Sequence, residues 1–259
     1  MNAGRLGLLL LFAGCILPSG PIDQTRPVEF RGAEEAYLRG DVPGAQLQFE
    51  RFRNSYPSSP LVPWALYWEG RCLLVQGKPI LARERFESAR NAFRDPTDRS
   101  VASFAIGDAL LLQDRFEDAE KAYLSARGAG GVRTDEILFQ GALCAQRLGR
   151  WKEADDRLRE ILEKYPDGSV AAAADRVLAR NRERYFSIQT GMFRVKDNAD
   201  RSARAIRSAG LEPRVQTVGS PGQPLYRVCF GKFKDYREAK EEMSNLKRKG
   251  IITTALIIP

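Results

Sequence analysis

The chain has 259 residues, of which 43% are hydrophobic and 29% charged, enough apolar material for one large or two small cored domains and too much for a disordered chain. It contains no histidine, which excludes histidine-based zinc sites and Ser-His-Asp or Cys-His nucleophilic catalysis. The formal charge of +8 sits wholly in residues 184–259, which hold 15 basic and 7 acidic side chains, while the preceding residues are balanced.

Residues 1–14 read as a signal peptide. Arg5 supplies the positive start, and the apolar run from Leu6 to Ala13 is too short to cross a hydrocarbon core, which takes about 20 helical residues. The run Leu11-Phe12-Ala13-Gly14-Cys15 resembles the lipobox of bacterial lipoproteins, with Phe12 where leucine is usual. That resemblance implies lipidation at Cys15, and ordinary secretory cleavage is the alternative. Ile16 follows the cysteine in place of the aspartate that tends to retain lipoproteins at the inner membrane. The resemblance therefore implies an outer-membrane anchor in the cell envelope, facing the periplasm. Residues 15–27 carry Pro18, Pro21 and Pro27 without helical period and suit a lipidated tether.

Residues 28–167 repeat. Ala45, Ala82, Ala119 and Ala154 recur at intervals of 37, 37 and 35, each four residues before Phe49, Phe86, Tyr123 or Leu158. Five residues before each alanine stands Gly40, Gly77, Asp114 or Gly149, where a turn wants a residue that tolerates left-handed dihedrals. Twelve before it is Ala33, Gly70, Gly107 or Ala142, always small, so that one helix can lie close to the next. The pattern resembles the tetratricopeptide repeat, with Pro57 and Pro166 filling its closing proline position in the first and fourth copies. The segments Tyr56-Pro57-Ser58-Ser59-Pro60 and Lys164-Tyr165-Pro166-Asp167 are similar to the subset found in cell-envelope lipoproteins. The resemblance implies an all-α solenoid that binds a protein partner on its inner face. Phe30, Tyr67, Phe104 and Phe139 form an aromatic column at one repeat position, with Tyr37 and Trp64 nearby. These rings either line a partner-binding groove or pack between helices. Cys72 and Cys144 share a repeat position two repeats apart and read as buried small hydrophobes.

Residues 168–184 read as a capping and linker helix, with Val170, Ala173, Ala174, Val177 and Leu178 at helical spacing. Residues 185–259 are duplicated at an offset of 40, pairing Gly191 with Gly231, Phe193 with Phe233, Ala199 with Ala239 and Gly210 with Gly250. Alternation of Phe186, Ile188 and Thr190, and again of Tyr226, Val228 and Phe230, marks a strand ahead of each helix; the closing strand is expected over Thr253 to Ile258. Asp235 with Glu238 makes an N-terminal cap and Gly250 ends the second helix. The fold class is therefore multidomain: a helical solenoid followed by an α+β domain of order βαββαβ, a four-stranded antiparallel sheet with two helices on one face.

Strand alternation aims Ser187, Gln189, Arg214, Gln216, Arg227 and Cys229 at the other face. The runs Phe186 to Phe193 and Tyr226 to Phe233, with Asn198-Ala199 and Gly210, resemble the SPOR (sporulation-related repeat) domain. The resemblance implies binding of peptidoglycan, favouring denuded glycan strands, and it assigns Gln189, Met192, Arg227 and Lys232 to the binding face by motif position. Ser187, Arg214 and Gln216 join them by alternation. Met192, Lys232 and Cys229 depart from the family's usual residues. No catalytic residue, metal or cofactor is expected. The expected function is that of a non-catalytic lipoprotein joining peptidoglycan to an envelope protein in cell division or envelope maintenance, with no nucleic acid partner. The alternatives are an RNA-binding protein with an RRM-like sheet and a targeting subunit of a cell-wall hydrolase complex.

Overall fold

A computed structural model describes residues 25–220 and 222–259. The expected signal peptide and Cys15 lie outside the described residues. The chain divides into two compact units between Gly141 and Ala142.

The first unit is built from helix pairs: α1 (Val28–Leu38) with α2 (Val42–Ser55), α3 (Val62–Val75) with α4 (Pro79–Ala92), and α5 (Pro96–Leu112) with α6 (Phe116–Ser125). Helix α7 (Thr134–Arg147) crosses from this unit into the next. Asp41 and Asp95 cap α2 and α5 by accepting from the backbone N–H of Gly44 and Thr97. The turn within each pair is the expected left-handed one: φ is 85° at Gly40, 73° at Gly77 and 57° at Asp114. Small residues then set the spacing inside a pair. A Cβ on Gly70 would lie 2.6 Å from the Phe86 ring, and one on Gly107 would lie 2.5 Å from the Tyr123 ring. In these two pairs the ring of the second helix thus rests directly on the backbone of the first.

Two buried polar arrangements fasten the pairs together. Glu69 on α3 is buried and accepts at 3.0 Å from Nε of Arg53 on α2, while its other carboxylate oxygen lies 3.0 Å from Nε of Arg85 on α4. Asp108 on α5 is buried, accepts from the Tyr123 hydroxyl at 2.9 Å, and is acted on by Arg71 of α3. Buried charges need partners of this kind.

The second unit begins with the end of α7 and continues through α8 (Trp151–Lys164), α9 (Ala171–Arg180) and a single 3-10 turn (Asn181–Glu183). Gly149 repeats the left-handed turn, with φ 72°. Helix α9 buries Ala171 and Ala174. Buried Asn181 ties the linker down: it accepts from Gln146 and donates to Asp155. Strands β1 (Phe186–Phe193), β2 (Pro213–Ser220), β3 (Gln223–Phe233) and β4 (Leu256–Ile258) form one antiparallel sheet in the order β2-β3-β1-β4, with β4 shorter than expected. Helices α10 (Lys196–Ser208) and α11 (Tyr236–Arg248) pack on one face of it. The Asp235 side chain caps α11 by accepting from the Glu238 N–H at 2.9 Å.

The core under the helices runs in three clusters. Ala199 and Ala203 of α10 cluster with Val228, Ala239 of α11 with Phe186, and Ile206 of α10 and Leu246 of α11 with Ile188, Phe230 and Ile252. Trp151 belongs to the α11 cluster, with its ring centroid 4.9 Å from that of Phe186. Beside it the Arg147 guanidinium lies 4.0 Å from the Tyr236 ring centroid. A Cβ on Gly149 would come within 2.5 Å of the Lys234 carbonyl oxygen. The last helical repeat therefore packs with the sheet domain in one compact unit, where sequence period alone groups it with the other repeats.

Candidate functional site

Register assembles the sheet face that the helices leave free. Gln189 pairs with Cys229, which pairs with Arg214; Met192 pairs with Arg227, which pairs with Gln216. Paired residues share a face, so two rows form across β1, β3 and β2. Met192 reaches this face only through a shift of register between Gln189 and Gly191, which reverses the alternation of β1 and sends Phe193 to the helix side. A second shift, at Gly231 (φ 75°), does the same in β3, leaving Lys232 exposed while Phe233 packs under α11. In both halves the glycine is required by the ring two residues on: a Cβ would lie 2.5 Å from the Phe193 ring at Gly191 and 2.3 Å from the Phe233 ring at Gly231.

The expected site residues differ in what they can reach. Met192 is 44% exposed and Lys232 is exposed, while Gln189, Arg214, Gln216 and Arg227 are half-buried. Nε of Arg214 and Nε of Arg227 are buried without a hydrogen-bond partner, and Arg227 has no ion pair among the described residues. Ser187 requires a correction. It lies on the expected face but is only 4% exposed, because its hydroxyl donates to the Gly231 carbonyl at 3.0 Å and accepts from Arg214 Nη2 at 2.7 Å. Arg214 Nη2 also donates to that carbonyl at 2.9 Å, so Ser187 positions the guanidinium and does not meet a ligand itself. Cys229 is buried, with its sulfur 3.6 Å from Gln216 Oε1.

Sequence reading missed Tyr185. Its ring centroid lies 5.3 Å from Arg214 Cζ and 5.1 Å from Lys232 Nζ, gathering both cations at one end of the face. Burial, then a hydrogen bond to Glu183, raises its phenol above the ordinary value, so it remains a donor at neutral pH. The signal was present: Tyr185 is in phase with Ser187 and Gln189. Also missed was an aliphatic rim, in which Leu256 pairs with Gln189 at one edge and Leu225 with Val218 at the other. Phe186, Tyr226 and Phe230 pack beneath the helices, so none of these rings of the central strands is offered to a nucleic acid base.

The aromatic column of the repeats also requires correction. Phe30, Tyr67, Phe104 and Phe139 are 0%, 2%, 1% and 5% exposed. Phe30 meets Phe49 and Phe52 edge-on, Tyr67 lies 5.6 Å from Phe86, and Phe104 lies 4.9 Å from Tyr123. These rings are core packing: Phe30, Tyr67 and Phe104 lie against rings of the second helices α2, α4 and α6, and none of the four offers a face to a partner. The large apolar side chains that the repeats expose include Leu38 and Val75, one repeat apart at the same position, with Ile80, Leu81 and Tyr56. Tyr37 and Trp64 are half-buried.

Comparison with known proteins follows this division. Residues 182–257 match the SPOR domain family and residues 136–168 a tetratricopeptide repeat family. An uncharacterized protein of Aquifex aeolicus is 43% identical over 61 residues, a stretch covering 23% of this chain and 24% of that protein. A tetratricopeptide repeat protein of Parabacteroides merdae is similar in structure, with a TM-score of 0.51 at 17% identity over 70% of this chain and 63% of that one. A putative kinesin light chain with TPR-like repeats from Podosopora anserina gives a TM-score of 0.51 at 16% identity over 60% of this chain and 84% of that one. No helix among the described residues is long and apolar enough to cross a membrane. A SPOR domain implies peptidoglycan binding and tetratricopeptide repeats imply protein interaction. The chain carries tetratricopeptide-type helical repeats followed by a C-terminal SPOR domain.

Proposed function

We propose that this is a non-catalytic cell-envelope lipoprotein that holds peptidoglycan glycan strands on its sheet face and a protein partner on its repeats. The observation that carries the reading is the pair of rows Gln189-Cys229-Arg214 and Met192-Arg227-Gln216 on a sheet face that neither helix covers. The half-buried amides and guanidinium groups of these rows pair with hydroxyls and N-acetyl carbonyls of a glycan, and the aliphatic rim with Met192 suits the C–H faces of sugar rings. For the repeats, Leu38, Val75 and their exposed neighbours are the proposed contact, in place of the buried aromatic column. Domain limits at 28–167, 168–184 and 185–259, an outer-membrane location and a role in division or envelope maintenance belong to the same reading.

Purified protein is expected to co-sediment with peptidoglycan sacculi, and more strongly after amidase treatment exposes the glycan. Gln189→Ala and Arg227→Ala are each expected to weaken binding by about 1–3 kcal/mol, the cost of a lost hydrogen bond at the sugar. Binding that survives the double substitution but vanishes in moderate salt would assign the contact to bulk charge.

The anchor is proposed at Cys15, on the apolar run that ends in Ala13-Gly14-Cys15. Cys15→Ala is expected to release the protein from the membrane fraction or leave the precursor uncleaved. Unaltered processing together with unaltered membrane retention would overturn it.

A further inference from the structure

We propose that the helical face of the SPOR domain, on the side away from the sheet rows, binds anionic lipid headgroups. The domain carries the chain's whole net charge of +8, yet Arg214, Arg227 and Lys232 are the cations placed at the sheet rows. Most of the rest lie on the helical layer. Ile206 of α10 and Leu246 of α11 enter the same core cluster, so the last turns of both helices converge over the middle of the sheet. Beside those anchors stand Arg204, Arg207, Lys247, Arg248 and Lys249, all exposed and none with an ion pair or side-chain hydrogen bond among the described residues.

The repeats differ in charge balance: residues 1–183 hold 26 basic and 26 acidic side chains. Exposed cations there such as Arg115, Lys152 and Lys164 pair with Asp118, Asp156 and Glu160, although Arg51, Arg94, Arg99, Lys121 and Arg127 are exposed without an ion pair among the described residues. Cations in the last turn of a helix offset the helix dipole, which covers Arg207, Lys247 and Arg248 but not Arg204 within α10. The patch has no aromatic ring on which a nucleic acid base could stack. Long basic side chains on an exposed helical layer match a dense plane of negative headgroups, an attraction that grows with each Lys or Arg and decays over about 10 Å at 0.1 M salt. The apolar run ahead of Cys15 is the reason to expect a membrane within reach. With glycan on the sheet and lipid on the helices, the domain would lie between wall and membrane.

The test uses residues 25–259, which include all the described helices and strands, so that the leader cannot bind lipid itself. The protein is expected to sediment with vesicles of phosphatidylcholine containing one third phosphatidylglycerol at low salt, and not with phosphatidylcholine alone. Arg207→Glu with Lys247→Glu and Arg248→Glu should lower the bound fraction more than about tenfold. The corresponding glutamine triple variant should show a smaller loss in the same direction with an unchanged melting temperature. Both variants should keep sacculus binding, while Gln189→Ala with Arg227→Ala should keep vesicle binding, so the two faces are tested separately. Failure to bind the anionic vesicles, equal binding to neutral ones, or undiminished binding by the charge-reversed variant would overturn the proposal.

Discussion

Phe104→Ala is expected to lose about 3–5 kcal/mol of stability, and Tyr67→Ala a similar amount, because each removes a ring enclosed between helices and leaves a cavity that rigid neighbours cannot fill. Phe104 is 1% exposed with the Tyr123 ring 4.9 Å away; Tyr67 is 2% exposed among Trp64, Trp68 and Phe86. Chemical denaturation followed by helical circular dichroism reads the loss directly. A variant as stable as the parent chain would return the column to the surface and revive it as a partner groove.

The second large effect is a pH dependence centred on Asp108. Burial pushes its carboxyl up to about 7, against the opposing pull of Arg71 and of the Tyr123 hydroxyl; Glu136 adds to the rise. In the unfolded chain the group ionises near its ordinary value of 3.8. Between these values the folded state holds a proton that the unfolded state has released, so stability is greatest below about 4, falls as pH rises, and levels off above about 7. At about 1.4 kcal/mol per pH unit the contribution of this group changes by about 4 kcal/mol over the whole interval, and by about 2–3 kcal/mol between pH 5 and pH 8. Urea unfolding at pH 5 and pH 8 should show it as a change in the gap between the parent chain and Asp108→Asn, since asparagine keeps the acceptor for Tyr123 and cannot ionise. A gap that stays constant with pH would mean that Arg71 keeps Asp108 ionised throughout.

The repeat and the duplicated C-terminal half were legible in the sequence because both rest on local rules. A left-handed turn needs Gly or Asp at one position, and Gly40, Gly77, Asp114 and Gly149 supply it with positive φ. Close helix approach needs a small residue, and Gly70 and Gly107 stand against the rings of Phe86 and Tyr123. Strand alternation likewise placed Gln189, Arg214, Gln216 and Arg227 on one face.

Three features were decided only by tertiary structure. Period assigned Phe30, Tyr67, Phe104 and Phe139 to one helix face but could not say what covers it, since burial depends on the helix packed opposite, whose distance is not written in the repeat. Alternation put Ser187 on the open sheet face but could not show Arg214 reaching across β3 to fasten it, because that bond depends on a register shift at Gly231. The last repeat looked like its predecessors, yet Trp151 packs with Phe186 and Ala239 of the sheet domain. A chain's own pattern specifies which residues share a face, whereas the partner of that face is chosen by shape and apolar contact between segments far apart in sequence.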